Sequence, residues 1–219
     1  MKIIITESQY KILVEEEQEV LYIPSIDLFG DWNALQKYLE RKGNPPYSIG
    51  GDLKLYGTPI ESLGNLTSVE GNLDLRETPI KSLGNLTYVG GNLNLNKVPI
   101  ESLGNLTSVE GNLNLNKTQI QSLGNLTSVG GDLDLRETPI ESLGNLTSVG
   151  GNLDLYGTLI ESLGVLTSVG GYLNLNRTPI KSLGNLTSVG GDLYGTPISK
   201  KYTEEEIRQM VDVRGEIYM

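Results

Sequence analysis

The stretch Asp132-Leu-Asp-Leu-Arg-Glu-Thr-Pro-Ile-Glu-Ser-Leu-Gly-Asn-Leu-Thr-Ser-Val149 decides the fold, because it recurs. From Gly50 the chain repeats every 20 residues without an insertion, and seven full units run from Gly50 to Val189. An eighth, Gly190-Gly-Asp-Leu-Tyr-Gly-Thr-Pro-Ile198, lacks one Leu-x pair. A fixed period of this size marks a repeat architecture, in which no unit can bury its apolar residues alone.

Each unit has six apolar columns, which in the first unit are Leu53, Leu55, Ile60, Leu63, Leu66 and Val69. Leu53 and Leu55 alternate with polar neighbours and predict a short strand with one buried face. Thr58-Pro59 ends it, since proline has no N–H for a ladder. Leu63, Leu66 and Val69 are spaced by three, which predicts a 3₁₀-like or extended coil. Gly51 and Gly64 mark corners that need positive φ or close backbone approach. Stacked units turn each column into a continuous apolar row, with strands pairing in parallel about 4.8 Å apart. The expected fold is therefore an α/β repeat solenoid with one parallel β-sheet, right-handed by the crossover rule.

Two polar columns have structural readings. Thr58, Thr78, Thr118, Thr138, Thr158, Thr178 and Thr196 form one, with Val98 as its exception. Their hydroxyls are expected to bond the backbone of their own or the next turn. The Asn65 column holds six asparagines and Val165, and predicts buried amides bonding loop backbone. It also produces six Asn-Leu-Thr sequons, which are one structural column copied rather than glycosylation sites.

The flanks are expected to cap the solenoid, whose open ends would expose core and strand edges. Residues 1–49 contain the single Trp and the single Phe. A helix is expected from Glu7 to Gln18, with Tyr10, Leu13 and Val14 on one face. Asp31 is placed to N-cap a second helix, closed by Gly43, that sets Trp32, Leu35, Tyr38 and Leu39 against the first unit. Ile49 falls in the Val69 column. Residues 50–198 are the solenoid, and residues 199–219 form the other end. There Thr203-Glu-Glu-Glu206 is a capping box opening a helix with Ile207, Met210 and Val211. Val213-Arg-Gly-Glu-Ile-Tyr-Met219 then matches Val189-Gly-Gly-Asp-Leu-Tyr column by column and predicts a closing strand.

The repeat Leu73-Asp-Leu-Arg-Glu-Thr-Pro-Ile80 resembles the leucine-rich repeat core, with Thr where Asn usually stands. Leu126-Thr-Ser-Val-Gly-Gly-Asp-Leu-Asp-Leu135 more closely resembles the leucine-rich-like units of receptor L domains and fungal cell-wall surface proteins. The resemblance covers residues 50–198 and implies a right-handed β-solenoid that binds ligands or partners. Both ends of the chain, Met1-Lys-Ile-Ile-Ile-Thr-Glu-Ser-Gln9 and Ser199-Lys-Lys-Tyr-Thr-Glu-Glu-Glu-Ile-Arg-Gln-Met210, resemble those of small tailed-phage proteins carrying the same repeat.

Composition narrows the function. There is no Cys and no His, so thiolate nucleophiles, zinc–cysteine sites and Ser-His-Asp triads are excluded. A formal charge of −10 argues against nucleic acid and anionic membranes as partners. No apolar stretch has the length of a signal or a membrane span, so the expected location is cytoplasmic, in the cell or in an infected host. The Gly-Asp pairs have neither the nine-residue period of calcium-binding repeats nor a P-loop context. Carboxylates such as Asp74 with Glu77 sit on exposed rows, and no single unit breaks the repeat with a unique polar cluster. No enzyme activity, cofactor or metal is therefore expected.

The outward rows of the strands remain. They differ between units while the core columns do not. At their centre lie Asn94, Asn96, Lys97, Asn114, Asn116 and Lys117, flanked by Arg76 and Arg136 and then by Tyr56 and Tyr156. Amide, guanidinium and aromatic groups together suit protein contact, or glycan contact in an attachment component of a virion or surface assembly. The alternative is that these rows are tolerated solvent positions whose near-mirror order records unit duplication. Two capped ends predict a monomer, because end-to-end stacking needs exposed ends.

Overall fold

The computed structural model describes residues 19–195, 198 and 201–219, so the helix expected from Glu7 to Gln18 and Thr196 lie outside the described residues. From Gly50 the chain winds as a parallel β-solenoid with one turn per 20-residue unit. Each turn contributes two short strands, such as Leu73–Asp74 and Tyr88–Val89. They build two parallel sheets where one was expected. The leucine sheet has nine strands, from Leu53–Lys54 to Ile217–Tyr218, and the valine sheet has ten, from Leu21–Ile23 to Asp212–Val213. Register is constant through the repeats: Leu133 pairs with Leu153 and Val129 with Val149.

The second sheet corrects the reading of the Leu63-Leu66-Val69 spacing. That spacing spans a corner and then a strand. Gly64 has φ 60°, and the Leu66 N–H bonds the Leu63 carbonyl at 3.3 Å, the pattern of a type II′ turn. The chain then extends, with Ser68 half-buried outward and Val69 buried inward. The corner glycines divide by cause. The Gly64 column needs positive φ, whereas a Cβ on Gly71 would sit 2.6 Å from Gly51 backbone and the Asp52 carboxylate.

All six apolar columns face the interior. In the fifth turn Leu133, Leu135, Ile140, Leu143, Leu146 and Val149 are at most 3% exposed. Each such side chain contributes about 1.5–3 kcal/mol of burial.

Polar columns join the turns. The hydroxyls of Thr58, Thr78, Thr118, Thr138 and Thr178 donate to the carbonyl three residues back in their own turn, at 2.6–2.8 Å. Val98 fills the same buried slot without a hydroxyl. A second threonine column donates to the preceding turn, as Thr107 does to the Thr87 carbonyl at 2.9 Å. The Asn65 column is not the buried row expected. Asn85, Asn105, Asn125, Asn145 and Asn185 are exposed, and Val165 is 44% exposed. The corner directs this position to solvent, while Leu66 takes the interior.

The row that bonds backbone is instead Asp52, Asn72, Asn92, Asn112, Asp132 and Asn152, exposed along its length except for the half-buried Asn152. Each Oδ1 accepts the backbone N–H of its counterpart in the next turn, at 2.7–2.9 Å. Tyr172 interrupts this ladder, and Asp192 resumes it onto Glu216.

Helix contributes less at the ends than expected, and two helical caps on an α/β solenoid is too strong a description. Helix α1 (Trp32–Arg41) is N-capped by Asp31, whose carboxylate accepts the Ala34 N–H at 2.7 Å. It buries Trp32, Leu35 and Leu39, and leaves Tyr38 half-buried against Phe29. Beside it the buried Tyr47 hydroxyl donates to the Leu63 carbonyl at 2.9 Å, and Ile49 pairs with Val69.

Helix α2 (Glu204–Met210) carries the expected capping box between Thr203 and Glu206 but buries only Ile207. Met210 is 48% exposed, and Val211 is buried beyond the helix in extended backbone. The last coil is closed by strand: Val213 pairs with Val189 and Ile217 with Leu193. No described helix is long and apolar enough to cross a membrane.

Candidate functional site

The outer face of the leucine sheet holds all eight residues singled out above. Asp74, Asn94, Asn114 and Asp134 stand in register on neighbouring strands, each half-buried between two buried leucines of its own turn. Positions 76, 96, 116 and 136 follow on the same side, because Leu75, Leu95, Leu115 and Leu135 point inward.

Much of this face is internally bonded. Asn94 and Asn114 use Oδ1 to accept the N–H of Asn96 and Asn116, at 3.2 and 3.1 Å. Asn96 Nδ2 reaches Asn116 Oδ1 at 3.0 Å, and Asn116 Nδ2 reaches the Arg136 carbonyl at 3.1 Å. Arg76 and Arg136 each lie bidentate on the aspartate two residues before them, with their shortest contacts at 2.6 Å. The Arg76 guanidinium holds Asp74 below the usual carboxylate range, and the hydrogen-bonded Asp74 carboxylate raises Arg76 in turn. Burial pushes Asp154 up, although Arg136 stands 3.7 Å away. Lys117 meets Glu137 at 3.4 Å, and Lys97 has no ion pair among the described residues. Outward donors at the centre are therefore the Lys97 ammonium and the Nδ2 groups of Asn94 and Asn114.

The row beside the strands has unusual backbone. Glu77, Lys97, Lys117, Glu137 and Arg177 all have φ between 56° and 59°, and Gly57 and Gly157 complete the row at 65° and 73°. Thr118 N–H bonds the Leu115 carbonyl at 3.1 Å, which makes Lys117 the third residue of a type II turn. That position favours Gly or Asn, and an L side chain in the left-handed region costs about 1–2 kcal/mol. Five of seven turns carry a long charged side chain there.

Aromatic groups extend the face in both directions. The Arg76 guanidinium lies over the Tyr56 ring at 5.2 Å, and Arg177 over Tyr156 at 5.0 Å. Near the C-terminal end, Tyr172 meets Tyr194 edge-on at 6.1 Å, and Tyr194 stacks on Tyr218 at 4.9 Å. The sequence reading missed this array, and its signal was tyrosine entering columns held, apart from Lys54, by Asp and Asn. The sixth turn is also irregular. Leu159, where most units have proline, is 49% exposed and bonds the Ile140 carbonyl through its N–H. Buried Thr158 Oγ1 and Asn176 Oδ1 lack partners.

Elsewhere, a shallow groove runs along the valine sheet, floored by Ser128, Ser148, Ser168 and Ser188, with Glu110 and Arg214 on its lining. Among the described residues, no group of three or more acidic side chains is arranged to hold a metal ion. Comparison with protein-family models, curated proteins and solved structures finds no match to this chain.

Proposed function

We propose that the chain is a non-enzymatic binding module that recognises a protein partner through the outer face of the leucine sheet. Contact centres on Asn94, Asn96, Lys97, Asn114, Asn116 and Lys117, with Arg76 and Arg136 at the flanks. One observation carries this reading: long charged side chains occupy a left-handed turn position that favours glycine, in five turns of one row. Side chains held against a backbone penalty point to use of the side chain. The likeness to leucine-rich and receptor L-domain-type repeats agrees with a binding role, and the likeness of the flanks to tailed-phage proteins suits a protein acting in the cytoplasm of a cell or of an infected host. Capture of a cognate partner by the immobilised chain tests the reading. Binding retained after Lys97→Ala, Lys117→Ala and Asn114→Ala together rejects the face.

A second reading, an attachment component that binds glycan, is favoured by the array of Tyr172, Tyr194 and Tyr218. Flat aromatic faces suit sugar rings. Glycan-array binding that is lost in Tyr218→Ala supports it, and an array with no hits rejects it.

A further inference from the structure

The order of charges on the leucine-sheet face restricts how two such faces can meet. Along the turn row it reads Glu77, Lys97, Lys117, Glu137, Gly157, Arg177, one residue per turn. Along the strand row it reads Asp74, Asn94, Asn114, Asp134, Asp154, Asn174, paired in register. A two-fold axis parallel to the strands lays each row on its own copy in reverse order. The axis falls on a turn or midway between two turns, and each placement fixes every pair.

Most placements set like charges together. An axis on the turn of Lys97, Lys117 or Glu137 opposes that residue with itself. Midway between Lys97 and Lys117, it opposes those two lysines, and Glu77 with Glu137. Midway between Glu137 and Gly157, it opposes Lys117 with Arg177. On the turn of Gly157, it opposes Asp154 with itself.

Midway between Glu77 and Lys97 the axis opposes those two, but only the first four strands of the leucine sheet overlap. Midway between the turns of Lys117 and Glu137 eight strands overlap and the result differs. Lys117 meets Glu137 twice, and Glu77 meets Arg177 twice. In the strand row the outward Nδ2 donors of Asn94 and Asn114 face the carboxylates of Asp154 and Asp134. Between these rows Asn116 faces Arg136, and Asn96 faces Tyr156. The ladder row adds one like pair, Asp52 with Asp192, at the two ends of the contact.

We propose that the partner of this face is a second copy of the chain, docked antiparallel about an axis between the turns of Lys117 and Glu137. This rests on the reading of the leucine sheet as an interaction face, and it pairs molecules side by side, so the ends of the solenoid stay out of the contact. Eight overlapping turns span about 34 Å at about 4.8 Å per turn. A strip of that length and a few residues' width lies at the low end of specific interfaces, so the dimer is expected in the micromolar range.

Sedimentation equilibrium on the full chain across micromolar concentrations tests the proposal. The expected result is a monomer–dimer equilibrium that weakens with added salt. Lys117→Glu sets like charges together twice and weakens the dimer about tenfold or more, as does Glu137→Lys. The double variant Lys117→Glu/Glu137→Lys restores wild-type affinity. Thermal melts show that each variant is folded. A wild type that stays monomeric overturns the proposal, as does a dimer indifferent to either single reversal. Partner capture then tells the two readings apart. A monomer whose capture depends on Lys97 and Lys117 rejects only the self-pairing, whereas capture indifferent to them rejects the face as well.

Discussion

Asp132 Oδ1 accepts the backbone N–H of Asn152, one whole turn further along the chain, at 2.7 Å. The side chain of one turn thus completes the backbone of the next, and the same bond recurs from Asp52 to Asn152. It needs a carbonyl or carboxylate oxygen three bonds from Cα, which Asp and Asn both supply. That is why the two residues exchange freely in this column.

Removing one rung therefore has a defined cost. Asn92→Ala leaves the Asn112 N–H without its acceptor and is expected to lose about 0.5–1.5 kcal/mol. For a chain of this size that lowers Tm by about 1–6 °C. Asn92→Asp keeps the acceptor and is expected to melt within about 1 °C of wild type. Equal losses in both variants sink the ladder account.

Backbone strain and surface chemistry oppose each other at Lys97, whose φ is 59°. Lys97→Gly relieves about 1–2 kcal/mol of left-handed strain. It gives back about 0.4–1 kcal/mol through the greater freedom of the unfolded chain. Tm is expected to rise by about 1–3 °C while partner capture weakens. A variant that is less stable than wild type contradicts the strain argument.

Asp154 is half-buried, and burial raises its carboxyl above the ordinary value of 3.8. A group with a raised folded value contributes stability below its unfolded value and loses it as pH rises through the folded value. At neutral pH the charged Asp154 is therefore a net cost. Asp154→Asn is expected to raise Tm near pH 7, and the gain should close as pH falls below 3.8. Melts across that range check the sign, and an unchanged gain in acid refutes it.

Deleting Val213–Met219 removes two buried side chains, Val213 and Ile217, and bares the strands at Ser188–Val189 and Leu193–Tyr194. At about 1.5–3 kcal/mol for each buried side chain, Tm is expected to fall by about 10 °C. An unchanged melting temperature rules out the closing-strand role.

The apolar columns and the closing strand were legible because their identity hardly varies and their spacing is rigid. Val213 and Ile217 were placed in register simply by matching Val189 and Leu193. The valine sheet was not legible. Its repeat strands are mostly two residues long, too short for alternation to show, and Leu63 and Leu66 straddle a corner that imitates a three-residue helical period. The exchange of roles between the Asn65 and Asn72 columns has a similar origin. Both are rich in asparagine, and only the turn geometry decides which of them reaches the backbone of the next turn. On the candidate face, the residue types could be read directly, but the bonding of Asn96 to Asn116 and of Arg76 to Asp74 could not, since it depends on distances between turns.

Through the repeats a constant offset of 20 residues joins two sheets and two side-chain ladders at once. Duplicating or excising a whole unit keeps that register, and the last coil keeps both sheets and the Asp192 bond at an offset of 24 only because its extra residues lie between the strands Leu193–Tyr194 and Asp212–Val213. Recombination between near-identical units can thus lengthen or shorten the molecule in steps of about 4.8 Å without designing a new fold. Reach becomes a heritable quantity that varies by whole steps, and each step carries its own set of outward side chains.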